Sequence, residues 1–339
     1  MTGPWNVVEI TNERGMRARV ANYGARLLEL WTPDRHGELD DVVFGFTTLE
    51  AYQVRRSLYL GCTIGRVANR IRDARFTLDG VTYHLIPNEP PNHLHGGRDA
   101  SFDNRFWSVE ADAHAVTFRL HSEHLEEGYP GSLRVAVRYA LTDRDELVID
   151  YLAKPDRRTP VSLTHHSYWN LGGHRHLRPV LDHELWVGAS HYTPLDEHLL
   201  PTGEVADVAD TPLDFREPTS IGARIGALLD EPTRGYDHNL VLDATAASAD
   251  EPALAARLRD GSSGRVMELW TTEPALQVYS GQMLPREPVK HGARAMPFAG
   301  LALEPQRFPN AINEPAFPSV IVEPGIPYRQ RSIYRFRVE

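Results

Sequence analysis

Apolar and polar residues alternate with a period of two along most of this chain, most clearly at Val116, Phe118, Leu120 and at Leu133, Val135, Val137, Tyr139, Leu141. Successive side chains on a strand point to opposite faces, so the pattern predicts half-buried strands. The same alternation returns at Leu147 to Tyr151, Met267 to Trp270, Leu276 to Tyr279 and Ile333 to Val338. Between Phe76-Thr77-Leu78 and Val81-Thr82-Tyr83 stands Asp79-Gly80, which predicts a hairpin over Arg75 to Leu85, because both positions of a two-residue turn need positive φ. Helical periodicity is scarce. Ile221 to Leu229 fits a short helix with Ile221, Ile225 and Leu228 or Leu229 on one stripe, and Glu251 to Arg259 fits either helix or strand. Strands without long interleaved helices predict an all-β chain of mainly antiparallel sheets. Prolines and glycines, 25 of each, punctuate the strands without leaving a linker or an internal repeat, so one large β-sandwich domain over residues 1–339 is expected.

Composition narrows the function classes. With 339 residues, 41% of them hydrophobic, the chain can bury a large core. A net charge of -10 argues against a nucleic-acid or anionic-membrane surface, since both ask for a basic face, and leaves a neutral small molecule as the expected partner. No apolar run reaches the roughly 18 residues that span a bilayer. The single cysteine, Cys62, excludes an intrachain disulfide, and the start Met1-Thr2-Gly3-Pro4-Trp5 lacks the basic and apolar regions of an export signal, so cytoplasmic residence is expected.

Five segments carry chemistry. Gly65-Arg66-Val67-Ala68-Asn69-Arg70-Ile71 offers two guanidinium groups and a carboxamide, donors suited to the hydroxyls of a polyol but equally at home as a solvated strand end. Asn92-His93-Leu94-His95-Gly96-Gly97 sets two histidines on one side of an extended chain, as a metal site with Asp99 would require, or presents His95 to a substrate beside a Gly-Gly pair that lets backbone approach a ligand. In Thr164-His165-His166-Ser167-Tyr168-Trp169 at most one of the adjacent histidines can face a pocket, and Tyr168 shares a side with His166, where its ring would cover the apolar face of a sugar. Gly235-Tyr236-Asp237-His238-Asn239 places a carboxylate in a loop, where it could accept two hydroxyls or close an Asx turn. Leu301-Ala302-Leu303-Glu304-Pro305-Gln306 ends an apolar run on an acid. A carboxylate there is costly unless it is partnered or functional, which makes Glu304 the best base in the chain, with Pro305 expected to end the strand ladder.

Taken in order, GRVANRI at 65 to 71, NHLHGG at 92 to 97, HHSYWNLGG at 165 to 173, GYDHN at 235 to 239, LQVYSG at 276 to 281 and LEPQ at 303 to 306 resemble the aldose 1-epimerases, the galactose mutarotases. The terminal Pro324, Gly325 and Tyr328 fit as well. The resemblance implies a large antiparallel supersandwich with few short helices and an open sugar cleft, and a reaction without cofactor or metal that interconverts the α and β anomers of free aldohexoses such as galactose or glucose. It also implies that Glu304 is the catalytic base, His166 the acid at the ring oxygen and His95 a second histidine on the sugar oxygens. Asn69, Arg70, Ser167, Tyr168, Asp237 and Gln277 fall on segments that hold sugar hydroxyls in the family. The protein is expected to act as a monomer or homodimer. Arg98, Arg105, Arg175 and Arg178 read as solvated surface; a hexose-phosphate 1-epimerase would need them as a phosphate pocket, and a non-catalytic sugar-binding protein on the same fold would tend to lose Glu304 or His166.

Overall fold

The computed structural model describes residues 3–175, 177–244, 248 and 251–339; Met1 and Thr2, used above in reading the start of the chain, lie outside it. Three large sheets form the body. Nine strands lie side by side in the order Ser108–Ala111, Ala115–Ser122, Leu133–Thr142, Glu146–Pro155, Tyr328–Val338, Arg265–Thr271, Ala253–Arg259, Glu184–Val187, Thr219–Ser220. A second sheet has the order Tyr168–Trp169, Leu301–Gln306, Ala275–Tyr279, Asp237–Val241, His191–Tyr192, Ala206–Asp207. A third joins Val7–Thr11, Arg17–Ala21, Arg26–Pro33 and Leu39–Asp41. Neighbours within all three are antiparallel.

The alternation in the sequence is the alternation of burial. Leu133, Val135, Val137 and Tyr139 are buried while Arg134 and Arg138 between them are exposed, so one face of the long sheet is apolar and the other wet. That apolar face meets Leu276, Val278, Leu301 and Leu303 of the second sheet and Ala18, Val20, Leu27 and Leu30 of the third in one core that reaches from Ile10 to Phe336. Trp169 packs across it, its ring 4.9 Å from Tyr334 and 5.9 Å from Phe336. The sandwich predicted from periodicity is therefore the observed architecture.

Local expectations mostly hold. Asp79 (φ 52°) and Gly80 (φ 77°) form the turn between Arg75–Leu78 and Val81–His84. The predicted short helix is Gly222–Ile225 continued by a 3-10 turn at Gly226–Leu228, with Ile221, Ile225 and Leu228 buried and Leu229 left at 47% exposure. Glu251 to Arg259 resolves into the strand Ala253–Arg259. The helix Leu49–Val54, capped by the Thr48 side chain accepting from the Ala51 N–H at 3.3 Å, carries too little periodicity to be read in advance.

Candidate active site

One face of the second sheet builds one wall of a cavity of about 620 Å³. Across the strands, Tyr168 stands opposite Ala302, Ala302 opposite Tyr279 and Tyr279 opposite Asp237; the next row runs Glu304, Gln277, Asn239. Residues two apart on a strand share a face, so both rows look the same way, while Leu301, Leu303, Leu276 and Val278 look into the core. Ala302 is small, and the rings of Tyr168 and Tyr279 meet across it at 5.8 Å. Glu304 thus sits mid-strand. Contrary to the sequence expectation, the ladder continues through Pro305, opposite Leu276, to Gln306, opposite Ala275. Asp237 likewise opens a strand instead of sitting in a loop.

Further wall comes from segments that carry the other motifs, and the rest from segments outside them, among them residues 57–59 and 232–234. The His166 backbone is pinned on both sides, its N–H donating to the Cys62 carbonyl at 3.0 Å and its carbonyl accepting from the Gly61 N–H at 2.8 Å. This places Nε2 of His166 3.6 Å from Oε1 of Glu304, with both side chains about 95% buried or more. His95 adopts a left-handed φ of 51° that brings its Nδ1 to accept from the Asn69 N–H at 3.1 Å, while its own N–H donates to the Asn69 carbonyl at 3.0 Å. A neutral imidazole that accepts at Nδ1 carries its proton on Nε2, so His95 offers the cavity a fixed donor. The rings of His95 and His166 are 5.4 Å apart, and Tyr59 packs edge-on against His95 at 4.6 Å.

Arg70 is aimed by Glu89, whose carboxylate takes Nε at 2.6 Å and Nη2 at 2.9 Å; Nη1 then lies 4.0 Å from Oδ2 of Asp237. Gln277 stands beside Asp237 and donates to its Oδ1 at 2.6 Å. Glu89, Tyr59, Tyr279 and Arg234, all lining the cavity, were not singled out from the sequence. Tyr279 alone carried a signal, two residues beyond Gln277 on the same strand face.

Burial sets the proton affinities. It pushes the Glu304 carboxyl well above the usual carboxylate range, with the neighbouring Asp237 charge adding to the effect. It drives His166 down to about 4 and holds His95 well below the usual imidazole value, the neighbouring His166 contributing to the latter. Asp237 is raised by burial against the opposing pull of Arg70. An ion pair at 3.6 Å would favour opposite charges, whereas desolvation favours a neutral acid and a neutral imidazole; desolvation dominates, because neither Oε2 of Glu304 nor Nδ1 of His166 has a hydrogen-bond partner in the protein.

Several expectations need correction. Ser167 points away from the cavity into the protein, fully buried, because His166 and Tyr168 on either side of it face the cavity. His165 likewise faces the core, its ring 5.8 Å from Tyr139 and 6.4 Å from Tyr334. Arg66 is buried away from the cavity, its guanidinium donating to Ser122 and to the Pro130, Gly131 and Glu123 carbonyls. The Gly-Gly pair serves packing, not ligand approach: a Cβ on Gly96 would lie 1.8 Å from the Gly65 carbonyl oxygen, and one on Gly97 would strike Glu127. His93 and Asp99 do not join a metal set, since His93 bridges Ile86 O and Tyr129 OH at 2.7 and 2.8 Å, and Asp99 is an exposed partner of Arg56. A different trio, His95, His166 and Glu304, has ligand atoms within 4.8 Å of one another, a spacing at which a cation can be held. None of Arg98, Arg105, Arg175 and Arg178 lines the cavity, and the last three pair with Glu126, Glu38 and Asp260.

Residues 6–335 match the model of the family described as aldose 1-epimerase. The chain belongs to this family. It is 41% identical over 320 residues to the galactose mutarotase of Mus musculus, covering 94% of this chain and 90% of that one. With the aldose 1-epimerase of Escherichia coli K12 it shares 35% identity over 340 residues, 99% and 96% of the two chains. A solved aldose epimerase homologue from C. elegans superimposes with a TM-score of 0.90 at 31% identity, covering 99% of each chain. Among the described residues, no helix of this aldose 1-epimerase family member is long and apolar enough to cross a membrane.

Proposed function

We propose that this protein is an aldose 1-epimerase that interconverts the α and β anomers of free aldohexoses such as galactose or glucose, with Glu304 and His166 as its acid–base pair. The observation that carries the reading is the buried Glu304–His166 contact at 3.6 Å, facing a cavity that Asn69, Arg70, His95, Asp237 and tyrosine rings also line. In the reacting form the proton of the pair sits on His166. Glu304 takes the proton of the anomeric hydroxyl as His166 delivers its own to the ring oxygen, so the C1–O5 bond breaks and C1 becomes an aldehyde. Rotation about C1–C2 presents the other carbonyl face, and the same transfers in reverse close the ring. Proton count is conserved in each half. The opposite displacements of the two affinities favour the pair as ring opening leaves it, with the proton on Glu304 and the imidazole neutral.

The Nε2–H of His95 is placed to donate to a sugar oxygen, and Arg70 and Asp237 supply a donor and an acceptor for hydroxyls. Tyr168 and Tyr279 offer ring faces and edges to the apolar C–H surface. Every group in this account comes from one chain, so a monomer or a homodimer would carry the activity. Cytoplasmic residence fits a single free, buried thiol at Cys62.

Polarimetry of freshly dissolved α-D-galactose and α-D-glucose tests the reading against enzyme-free drift. Acceleration by the wild type supports it. No acceleration with either sugar, nor with their 6-phosphates, overturns it in favour of a binding protein.

A further inference from the structure

The terminal Tyr328 has no part in the chemistry above, yet it lies at a junction. Its hydroxyl accepts from the Leu163 N–H at 3.2 Å and lies 2.8 Å from Oε1 of Glu273 and 2.9 Å from Oε1 of Gln330. Nε2 of Gln330 donates to the Pro305 carbonyl at 3.1 Å. Leu163 precedes His166 by three residues, and Pro305 follows Glu304 directly, so one phenol is tied, directly and through Gln330, to backbone close to both members of the acid–base pair. Tyr328, Gln330 and Glu273 are 2%, 2% and 5% exposed.

Counting protons sharpens the arrangement. The Gln330 amide must direct its nitrogen to Pro305, since the flipped form would set two carbonyl oxygens 3.1 Å apart. Its oxygen is then an acceptor, and it takes the single phenol proton. Glu273, 2.8 Å from that phenol oxygen, is then left without a proton to accept, and it can hold the contact by donating as a neutral acid. Burial favours the same state, raising the Glu273 carboxyl against the opposing pulls of Arg307, whose guanidinium lies 5.3 Å from the Tyr328 ring, and of the Tyr328 hydroxyl.

We infer that Tyr328, Gln330 and protonated Glu273 form a positioning device that sets the separation of His166 and Glu304. This inference rests on the epimerase reading of the site. The adjoining Ser162 extends the device, for its Oγ accepts from the Arg307 N–H at 3.2 Å and its backbone bonds to Arg66 and Ala68, beside Asn69 and Arg70. Catalytic groups that must be in reach of O1 and O5 together are sensitive to such placement, because a shift on the order of 1 Å costs about 100-fold in rate.

The test measures kcat and KM by polarimetry, with thermal melting of each protein, for wild type, Gln330→Met, Tyr328→Phe, Glu273→Gln and Glu273→Leu. Leu185→Ala, a core change in the long sheet, serves as a destabilised control that keeps its kcat. The device predicts that Gln330→Met and Tyr328→Phe lower kcat at least about 10-fold while KM stays within about 2-fold. Glu273→Gln retains near wild-type kcat, because its amide donates to the phenol as the neutral acid does, whereas Glu273→Leu loses it. Melting shifts without a kcat change in folded Tyr328→Phe, or equal loss in Glu273→Gln and Glu273→Leu, would overturn the proposal. Should Gln330→Met not fold, Tyr328→Phe decides alone, as it keeps the ring and removes only the hydroxyl. An inactive wild type would defeat the functional reading and this inference with it, whereas an active wild type with unaffected variants would defeat the device alone.

Discussion

Replacing Glu304 by glutamine isolates the base. The amide copies the shape of the protonated acid that burial favours, so the fold should be preserved while the proton acceptor is gone. A positioned general base contributes about 10²- to 10⁴-fold, which at about 1.4 kcal/mol per decade raises the barrier by roughly 3 to 5.5 kcal/mol. Stability should move the other way. The folded carboxyl binds its proton more tightly than the unfolded one, so its favourable contribution is complete below the unfolded value of about 4.3 and is lost as pH rises toward the folded value. Glutamine does not ionise and escapes that loss. The melting temperature of Glu304→Gln should therefore gain on wild type as pH rises from about 4.5 to 8, by on the order of 2 °C per kcal/mol. Polarimetry at saturating sugar and paired melting curves read both effects. A kcat within about 3-fold of wild type, or a melting difference that shrinks with pH, would refute the reasoning.

Four further outcomes are expected. Acid should destabilise the fold between about pH 6.5 and 4, because burial lowers His93, His166, His174, His183 and His238 to about 4 and His165 to about 3, so in that window the unfolded chain binds protons that the folded chain refuses; a flat melting temperature from pH 7 to 5 would contradict this. Glu89→Gln should raise KM about 5- to 20-fold with little change in kcat, since it frees Arg70 from its bidentate partner without touching the acid–base pair; a kcat loss at constant KM would argue against it. Gly96→Ala should cost more than about 3 kcal/mol, because its φ of 82° and the Gly65 carbonyl leave no room for a Cβ, and an unchanged urea midpoint would show the packing to be looser than described. Dialysis against a chelator should leave the rate unchanged, and a loss restored by zinc or manganese would instead assign His95, His166 and Glu304 as ligands.

Much of this protein is written in its linear pattern. Period-two alternation is a local property of the backbone, and it identified five of the nine strands of the long sheet and the Asp79-Gly80 turn because burial on one face and positive φ in a tight turn are enforced residue by residue. Adjacency on a strand also settled in advance that His165 and His166 could not both face a pocket. Only the tertiary structure decided which of them does, since that depends on the Gly61–Cys62 backbone pinning the His166 peptide. Glu304 was conspicuous as an acid in an apolar run, but its position mid-ladder, with Pro305 tolerated beyond it, follows from pairing with Ala275–Tyr279, more than twenty residues away. Ser167 was placed on the sugar by its neighbours in sequence and removed from it by the alternation of the same segment. Glu89 was invisible, because a carboxylate in a proline-flanked loop acquires a role only when the fold brings Arg70 within 2.6 Å. Local stereochemistry determines which way each side chain points; long-range pairing determines what it meets, and the chemistry of this cavity depends on both.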